Sequence, residues 1–309
     1  MTKIISIIIP MKDESESLSF LFDGLAPVLN TLPINFEIVI VNDGSTDNTL
    51  EQLLKYKETF KDKLIIIDLS RNFGKESALY AGFAHCNGDC AVSIDADLQD
   101  PPQLINEMLE HWLSGYEVVT AVREDRMDDT YLKRNTANLF YKLINKISNP
   151  KLIPNAGDFR LLDRKAINAF LSIHERVRFN KGLFSWLGFK EKLVYHKRNS
   201  RIAGSGKWNY FKLLRFSIDG ITSFSAAPLK IWTIIGIVTA LSGFLYAIYY
   251  FTKTIIFGID VNGYPSLLIF ILFFSGLQMI GLGVLGEYVG RIFMETKGRP
   301  LYIIRDIYK

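Results

Sequence analysis

The stretch Ser93-Ile94-Asp95-Ala96-Asp97-Leu98-Gln99-Asp100-Pro101-Pro102 decides how the chain is read. An apolar run from Cys90 to Ile94 leads straight into two carboxylates and an amide, Asp95, Asp97 and Gln99. In extended backbone, residues two apart share a face, so these three side chains are expected to point at one spot. Oxygen donors gathered this way suit a hard divalent cation, Mg2+ or Mn2+. Asp100-Pro101-Pro102-Gln103 reads as a helix start, with Asp100 as N-cap, proline in the first turn and Gln103 completing a capping box. A strand end, an acidic group and a new helix in one short span is where open α/β sheets place their sites. A solvated acidic turn has the same local composition, and the surrounding chain decides between the two.

Upstream, apolar β-branched runs at Ile4–Ile9, Phe36–Val41 and Leu64–Leu69 precede the one at Cys90–Ile94, and Glu117–Val122 follows it. Helical patterns near Glu16–Asn30, Asn48–Lys61, Lys75–His85 and Pro102–Ser114 alternate with them. Strands apolar throughout, alternating with helices of this length, predict a mostly parallel sheet covered on both faces. Right-handed crossovers then bring every strand's C-terminal end to one edge. That edge receives Pro10-Met11-Lys12-Asp13-Glu14, Asn42-Asp43-Gly44-Ser45, Ser70-Arg71-Asn72-Phe73-Gly74-Lys75 and the Asp95 group. Each loop alone is ordinary turn chemistry. Their convergence on one crevice predicts a ligand site.

Two nucleotide signatures are excluded. The first strand is not followed by Gly-x-Gly-x-x-Gly. Gly204-Ser205-Gly206-Lys207 is no phosphate loop, because Arg201 occupies the upstream glycine position and Trp208 stands where Ser or Thr is required. A charged segment from Arg123 to Arg134 reads as loop, a helix is expected from about Thr136 to Ile147, and Asn155-Ala156-Gly157-Asp158-Phe159-Arg160 forms a second polar island, read as a turn or a site loop. Another helix is expected near Lys165–Leu171.

The chain has 309 residues, 49% of them hydrophobic, and a net charge of only +4. That charge is concentrated: Lys190 to Arg215 holds eight basic residues against the single acid Glu191. Such a segment suits nucleic acid or anionic lipid, and the residues C-terminal to it favour lipid. Asn209–Phe224 carries a polar stripe of Lys212, Arg215, Asp219 and Thr222, as an interfacial amphipathic helix would. Ile231–Thr252 and Tyr264–Gly286 are each long enough to span hydrocarbon. Basic residues flank the pair on both sides, so the positive-inside rule places both termini in the cytoplasm, at the inner membrane. Gly286-x-x-x-Gly290 is a candidate for close helix packing, including between copies of the chain. Nucleic acid is not an expected partner, since no recognition motif accompanies the basic residues. Cys86 and Cys90 imply no disulfide framework, and Ile4–Ile9 reads as a strand rather than a signal peptide.

As an ordered set, Pro10 through Glu14, Val41-Asn42-Asp43-Gly44-Ser45, Arg71 through Lys75, Asp95 through Pro102 and Gly157-Asp158-Phe159-Arg160 resemble the motifs of glycosyltransferase family 2. Within it the chain resembles the polyprenyl-phosphate glycosyltransferases, with Arg201-x-x-Gly204-x-x-Lys207-Trp208 similar to that branch's basic motif ahead of the membrane helices. The resemblance covers essentially the whole chain. It implies a GT-A fold in residues 1–208, an interfacial helix in 209–228, a two-helix membrane hairpin in 229–290 and a cytoplasmic tail in 291–309. It implies that Pro10, Asp13, Glu14, Asp43, Ser45, Arg71, Lys75 and Asp95 hold a nucleotide sugar. Asp95, Asp97 and Gln99 would hold Mg2+ or Mn2+, and Asp158 would be the catalytic or acceptor-orienting carboxylate. Arg123, Arg134, Arg160, Arg201 and Lys207 are the implied ligands of the acceptor phosphate. The family has Tyr-Asn-Glu after the proline where this chain has Met11-Lys12-Asp13-Glu14, so the base end of the site departs from the pattern.

The implied reaction is inverting transfer of glucose from UDP-glucose to undecaprenyl phosphate at the cytoplasmic membrane face. Mannose from GDP-mannose and a modified pentose are the other sugars the branch admits. A processive polysaccharide synthase would have a Gln-x-x-Arg-Trp motif, and the chain has no Arg-Trp pair. A membrane-tethered sensor without turnover would tolerate loss of Asp158 or Asp97.

Overall fold

The computed structural model describes residues 3–124, 145, 151–197, 222, 225–258 and 263–309. The chain divides into two compact units, Met1–Gly220 with Arg299–Lys309, and Ile221–Gly298.

In the first unit the described strands are β1 (Ile4–Met11), β2 (Asn35–Asn42), β3 (Leu64–Leu69), β4 (Cys90–Ser93), β5 (Val118–Arg123), β6 (Ala156–Asp163), β7 (Glu191–His196) and β8 (Ile304–Tyr308). They form one sheet in the order β7-β5-β6-β4-β1-β2-β3-β8. β1, β2, β3 and β4 are mutually parallel, as the apolar runs predict. Ile and Val dominate them because both faces are covered: Ile5, Ile7, Ile8, Ile9, Ile38, Val39, Ile40 and Val92 are fully buried. Helices α1 (Leu18–Thr31), α2 (Thr49–Phe60), α3 (Lys75–His85) and α4 (Leu104–Leu113) connect or flank these strands. In α1, Leu18, Leu21, Phe22, Leu25, Val28 and Leu29 are buried, the spacing of a single helix face turned to a core.

Three strands are absent from the apolar pattern. Ala156–Asp163, expected as a turn or site loop, is β6, antiparallel to both β4 and β5. It runs into α5 (Arg164–Leu171), whose N-terminus is capped by the Asp163 carboxylate accepting from Lys165 N. A short α6 (Asn180–Trp186) precedes β7, which pairs in parallel with β5. At the other edge β8 pairs antiparallel with β3. The end of the 291–309 segment is thus part of the sheet, pinned where Arg305 Nη1 lies 3.4 Å from the buried Asp68 carboxylate and Nη2 donates to Ser70 O at 2.8 Å.

The second unit contains α7 (Ala227–Phe257) and α8 (Tyr264–Thr296). Their apolar windows have mean hydropathies of 2.0 and 1.6, and 0% and 6% of them are buried, so neither is the core helix of a soluble domain. α7 has 31 residues, about 46 Å at 1.5 Å per residue, longer than the roughly 30 Å hydrocarbon layer. Both helices are long and apolar enough to cross a membrane. They approach closely at Gly281, where a Cβ would fall 1.5 Å from Trp232 Nε1. Gly286 and Gly290, the expected packing motif, have no described atom within 4 Å of an added Cβ. The expected helices at Thr136–Ile147 (Asn145 apart) and Asn209–Phe224 (Thr222 apart) lie outside the described residues.

Candidate active site

The β4–β6 ladder sets the centre of the site. Ser93 and Arg160 are the last pair of that ladder, and Asp95 and Asp158 each lie two residues beyond it. The Ser93 hydroxyl donates to Asp158 O and fixes the strand end there. Lys75, the first residue of α3, fills the gap. Its Nζ lies 2.6 Å from Asp95 Oδ1 and 2.7 Å from Asp158 Oδ2. Burial opposes the ammonium charge, but Asp158 and Asp95 outweigh it and hold Lys75 above the ordinary lysine range. Burial likewise works against the Asp158 carboxylate, yet Lys75, and behind it Lys181 and Arg160, hold it well below the usual carboxylate range. Asp158 Oδ1 is buried without a hydrogen-bond partner among the described residues.

The acidic turn departs from the extended geometry expected of it. Backbone beyond Asp95 closes into a turn, with Leu98 N donating to Asp95 O at 3.3 Å and Leu98 at φ 47°. Asp97 Oδ1 accepts from Gln99 N at 3.3 Å, and Gln99 is 9% exposed. Asp95, Asp97 and Gln99 therefore lie on a turn, and strand alternation does not set their directions. Asp100 is no N-cap either: α4 starts four residues later, with Gln103 at the N-cap and no side-chain cap. Its carboxylate is buried, with His196 Nε2 at 3.5 Å and Arg123 Nε at 3.8 Å.

The β2–α2 and β3–α3 loops form one braced unit. Both Asp43 oxygens accept backbone N–H groups, from Phe73 at 2.7 Å and Gly74 at 2.9 Å. Burial raises the Asp43 pKa, and those two N–H groups counter it. Gly44 sits at φ 61° against this loop, and a Cβ there would lie 2.4 Å from Arg71 C. Any side chain at 44 would drive the two loops apart. The exposed Arg71 stacks over the Phe73 ring at 4.2 Å. On the β1 side, Pro10 is buried in the strand, Asp13 N donates to Ser45 Oγ at 2.9 Å, and Asp13 Oδ1 accepts from Thr46 N at 2.7 Å. The Asp13 carboxyl, also bonded to the Lys12 ammonium, is lowered to about 2. Glu14 accepts from the Ser17 hydroxyl at 2.6 Å.

Among the expected acceptor cations, Arg123 is 26% exposed at the end of β5. Arg160 is not available to an acceptor. It is 1% exposed, 3.7 Å from Glu191 Oε1, with Nε donating to Gly157 O and its guanidinium 5.2 Å from the Phe184 ring centroid. Alternation along β6 turns it inward, where it supports the strand carrying Asp158. Arg134, Arg201 and Lys207 lie outside the described residues.

Three residues at this centre escaped the sequence reading: Glu76, Lys181 and His196. Only His196 had a local signal, since Val194 and His196 alternate as the buried residues of β7. Glu76 follows Lys75 and accepts from Asn180 N at 2.9 Å. Burial and the charge of Asp158 raise its pKa to about 7.

The donor set fits a divalent cation on two observations. It is composed of oxygens, and Asp95 already receives a cationic group, the Lys75 ammonium. Among the described residues no group of three His, Cys, Asp or Glu forms a cage, so a cation held by Asp95, Asp97 and Gln99 would need further oxygens from a ligand.

Comparison with known proteins places this geometry. A model of glycosyl transferase family 2 matches residues 6–171. The chain is 46% identical over 305 residues to a prophage bactoprenol glucosyl transferase homolog of Escherichia coli (strain K12), covering 99% of each. It is 48% identical over 308 residues to an uncharacterized glycosyltransferase of Synechocystis, covering 100% of this chain and 96% of that one. Among solved structures, the glucosyl-3-phosphoglycerate synthase of Mycobacterium tuberculosis, in complex with Mn2+, UDP-glucose and phosphoglyceric acid, is similar with a TM-score of 0.51 at 17% identity, covering 71% of this chain and 78% of that chain. At that identity the likeness speaks to the fold, and the fold is that of the sheet described above. The chain belongs to glycosyl transferase family 2.

Proposed function

We propose that the chain transfers glucose from UDP-glucose to undecaprenyl phosphate at the cytoplasmic face of the inner membrane, with inversion at the sugar. It is an enzyme of the glycosyltransferase class. The observation that carries the reading is the end-to-end match to a bactoprenol glucosyl transferase homolog, with both apolar helices inside the matched length. A lipid-linked acceptor accounts for two unburied apolar helices on a catalytic domain.

The donor diphosphate would lie at the C-terminal edge of β1–β4, above the loop braced by Asp43. Asp95, Asp97 and Gln99 would hold Mg2+ or Mn2+, whose charge offsets that of the departing nucleoside diphosphate. Asp13, Glu14 and Ser45 shape the β1 side, Arg71 presents an exposed guanidinium, and Lys75 stands where a diphosphate would arrive. The acceptor is a phosphate monoester, mostly ionised at neutral pH because its second pKa is near 6. It brings its own nucleophile and needs little from a general base. A strongly ionised Asp158 suits that chemistry: it orients Lys75 and the acceptor and is a weak proton acceptor. Arg123, with Arg134, Arg201 and Lys207, would neutralise the acceptor phosphate.

The test is to incubate membranes containing the protein with a panel of nucleotide sugars, Mg2+ or Mn2+ and undecaprenyl phosphate. Mass spectrometry of the lipid fraction should find a hexosyl phospholipid with UDP-glucose. Product only with GDP-mannose or a pentose donor would overturn the choice of sugar, and no glycolipid from any donor would overturn the reading.

A further inference from the structure

We infer that Arg305, on the strand that follows the second apolar helix in the chain, is a positioning residue for the donor. Through Asp68 and Asn42 it fixes the Ser45 turn, and through Ser70 it holds the start of the loop that carries Arg71. The inference rests on the donor reading above and concerns a residue outside the ordered motifs behind that reading.

The chain of contacts starts at two neighbouring strand ends. Asn42, the last residue of β2, and Asp68 on β3 are register partners, and both are buried, at 2% and 1% exposure. Asn42 Nδ2 donates to Asp68 Oδ1 at 2.7 Å, and Asn42 Oδ1 accepts from Ser45 N at 3.3 Å. A carboxylate only accepts, so Asp68 obliges the Asn42 amide to turn its NH2 towards β3 and its oxygen towards the Ser45 turn. The Asp68 charge thereby orients the group that holds Ser45. Ser45 Oγ in turn accepts from Asp13 N at 2.9 Å, which ties the loop after β1 to the same turn.

A buried carboxylate stays ionised when it is paired and hydrogen-bonded. Among the described residues the cation that pairs Asp68 is Arg305: Nη1 lies 3.4 Å from Asp68 Oδ2, and Nη2 donates to Ser70 O at 2.8 Å. Ser70 N donates to Ile303 O at 2.9 Å, so the guanidinium and the backbone just ahead of β8 grip the same residue. Arg71 follows directly. The Arg305 side chain is 57% exposed and the carboxylate beneath it 1%, so the effect of losing the pair falls on the buried partner. With an apolar side chain at 305, Asp68 would keep only the Asn42 amide. A protonated Asp68 can donate as well as accept, and the Asn42 amide could then turn over and present NH2 to the Ser45 N–H.

The experiment is calorimetric titration of the full chain in zwitterionic-lipid nanodiscs with UDP-glucose and Mg2+, with donor KM, kcat and melting temperature measured on the same preparations. Arg305→Met should bind roughly tenfold more weakly, the scale of one hydrogen bond to a charged group. Donor KM should rise with it while kcat stays within about twofold of the wild type. Arg305→Lys keeps the charge over Asp68 and should recover most of the affinity. Asp68→Asn should weaken binding too, and adding Arg305→Met to it should cost little more, because the two residues act in one chain. Ile307→Ala loosens the same strand without removing a bond to Asp68 or Ser70, and should lower the melting temperature at wild-type affinity. Wild-type affinity in Arg305→Met, or equal weakening in Ile307→Ala, would overturn the inference, since Arg305 would then only stabilise an edge strand. If Arg305→Met does not fold, Asp68→Asn decides, and wild-type affinity there overturns the inference. If the wild type binds another nucleotide sugar and not UDP-glucose, the choice of donor falls, and the same comparison with the binding nucleotide decides on Arg305. If it binds none, both readings fall.

Discussion

Asp95 and Asp158, each two residues beyond the last β4–β6 pair, share one cation, the Lys75 ammonium, at 2.6 and 2.7 Å. Two carboxylates on one ammonium repel each other, and the Lys75 charge between them offsets that repulsion and helps hold the Asp158 carboxyl well below the usual carboxylate range. One ammonium against two carboxylates leaves a negative balance among these three side chains, which a cation at Asp95 or a phosphate at Lys75 would change. On the proposed reading, the lysine shared by the acidic turn and Asp158 would link donor and acceptor handling.

Lys75→Met should therefore cost more than a positive charge. Removal leaves Asp95 and Asp158 facing each other unneutralised, and transfer should fall by roughly 10²-fold, the scale of losing one preorganised electrostatic group. Stability should fall by only about 1 kcal/mol, because the lysine side chain is 42% exposed and screened. Glycolipid synthesis and thermal unfolding of the same preparation separate the two effects. A variant that folds and turns over normally would remove Lys75 from the reaction.

Asp43→Asn tests the brace under the donor site. Both Asp43 oxygens accept buried backbone N–H groups. An amide offers one acceptor and presents N–H to N–H at the other position, at a cost of about 1–3 kcal/mol. Donor affinity should fall with stability, as the Phe73-Gly74 loop that leads into Lys75 loses its anchor. Gly44→Ala should act through the same loop, because its Cβ would meet Arg71 backbone at 2.4 Å. Calorimetry with UDP-glucose and a melting curve on each variant give the comparison.

The parts legible in the sequence were those whose cause is local. The first four strands announce themselves because Ile and Val bury both faces, and α1 to α5 because their apolar spacing or a cap is written in consecutive residues. β6 was hidden by its composition: Gly157, Asp158 and Arg160 break the apolar run. Arg160 is tolerated at 1% exposure through Glu191 and the Phe184 ring, partners distant in the chain. β8 was hidden because an edge strand such as Ile304-Arg305-Asp306-Ile307-Tyr308 stays half polar. The bridging of Asp95 and Asp158 by Lys75, and the bond from Asn180 N to Glu76, are long-range facts with no local trace. The turn at Leu98 defeated the expectation of strand alternation for Asp97 and Gln99.

Metal removal should abolish transfer without unfolding the chain. The fold of the sheet depends on buried apolar strands and not on a metal cage, so a chelator should leave circular dichroism unchanged while glycolipid synthesis stops. Mg2+ or Mn2+ added back should restore it. Asp97→Asn should raise the metal concentration needed for half-maximal activity. Activity undiminished in excess chelator would overturn the metal role of Asp95, Asp97 and Gln99.

The β1–α1 loop supplies a prediction with a defined pH window. The Asp13 carboxyl is lowered from 3.8 to about 2 by the Lys12 ammonium and the Thr46 N–H. A carboxylate depressed in the folded state binds fewer protons there than in the unfolded chain. Its contribution is fully present above about pH 4 and is lost as pH falls through that value towards 2. Asp13→Asn removes the charge at every pH but keeps an acceptor for Thr46 N. The variant should be less stable than the wild type at pH 6 by about 1 kcal/mol or less, since the site is partly exposed, and the gap should close on acidification from pH 4 to pH 2. Thermal unfolding in detergent across that range reads the gap directly. A gap constant down to pH 2 would mean that Asp13 acts through its hydrogen bond to Thr46 alone. In that case the loop that pairs Asp13 with Ser45 and Thr46 would be held by geometry, with no electrostatic contribution from Lys12.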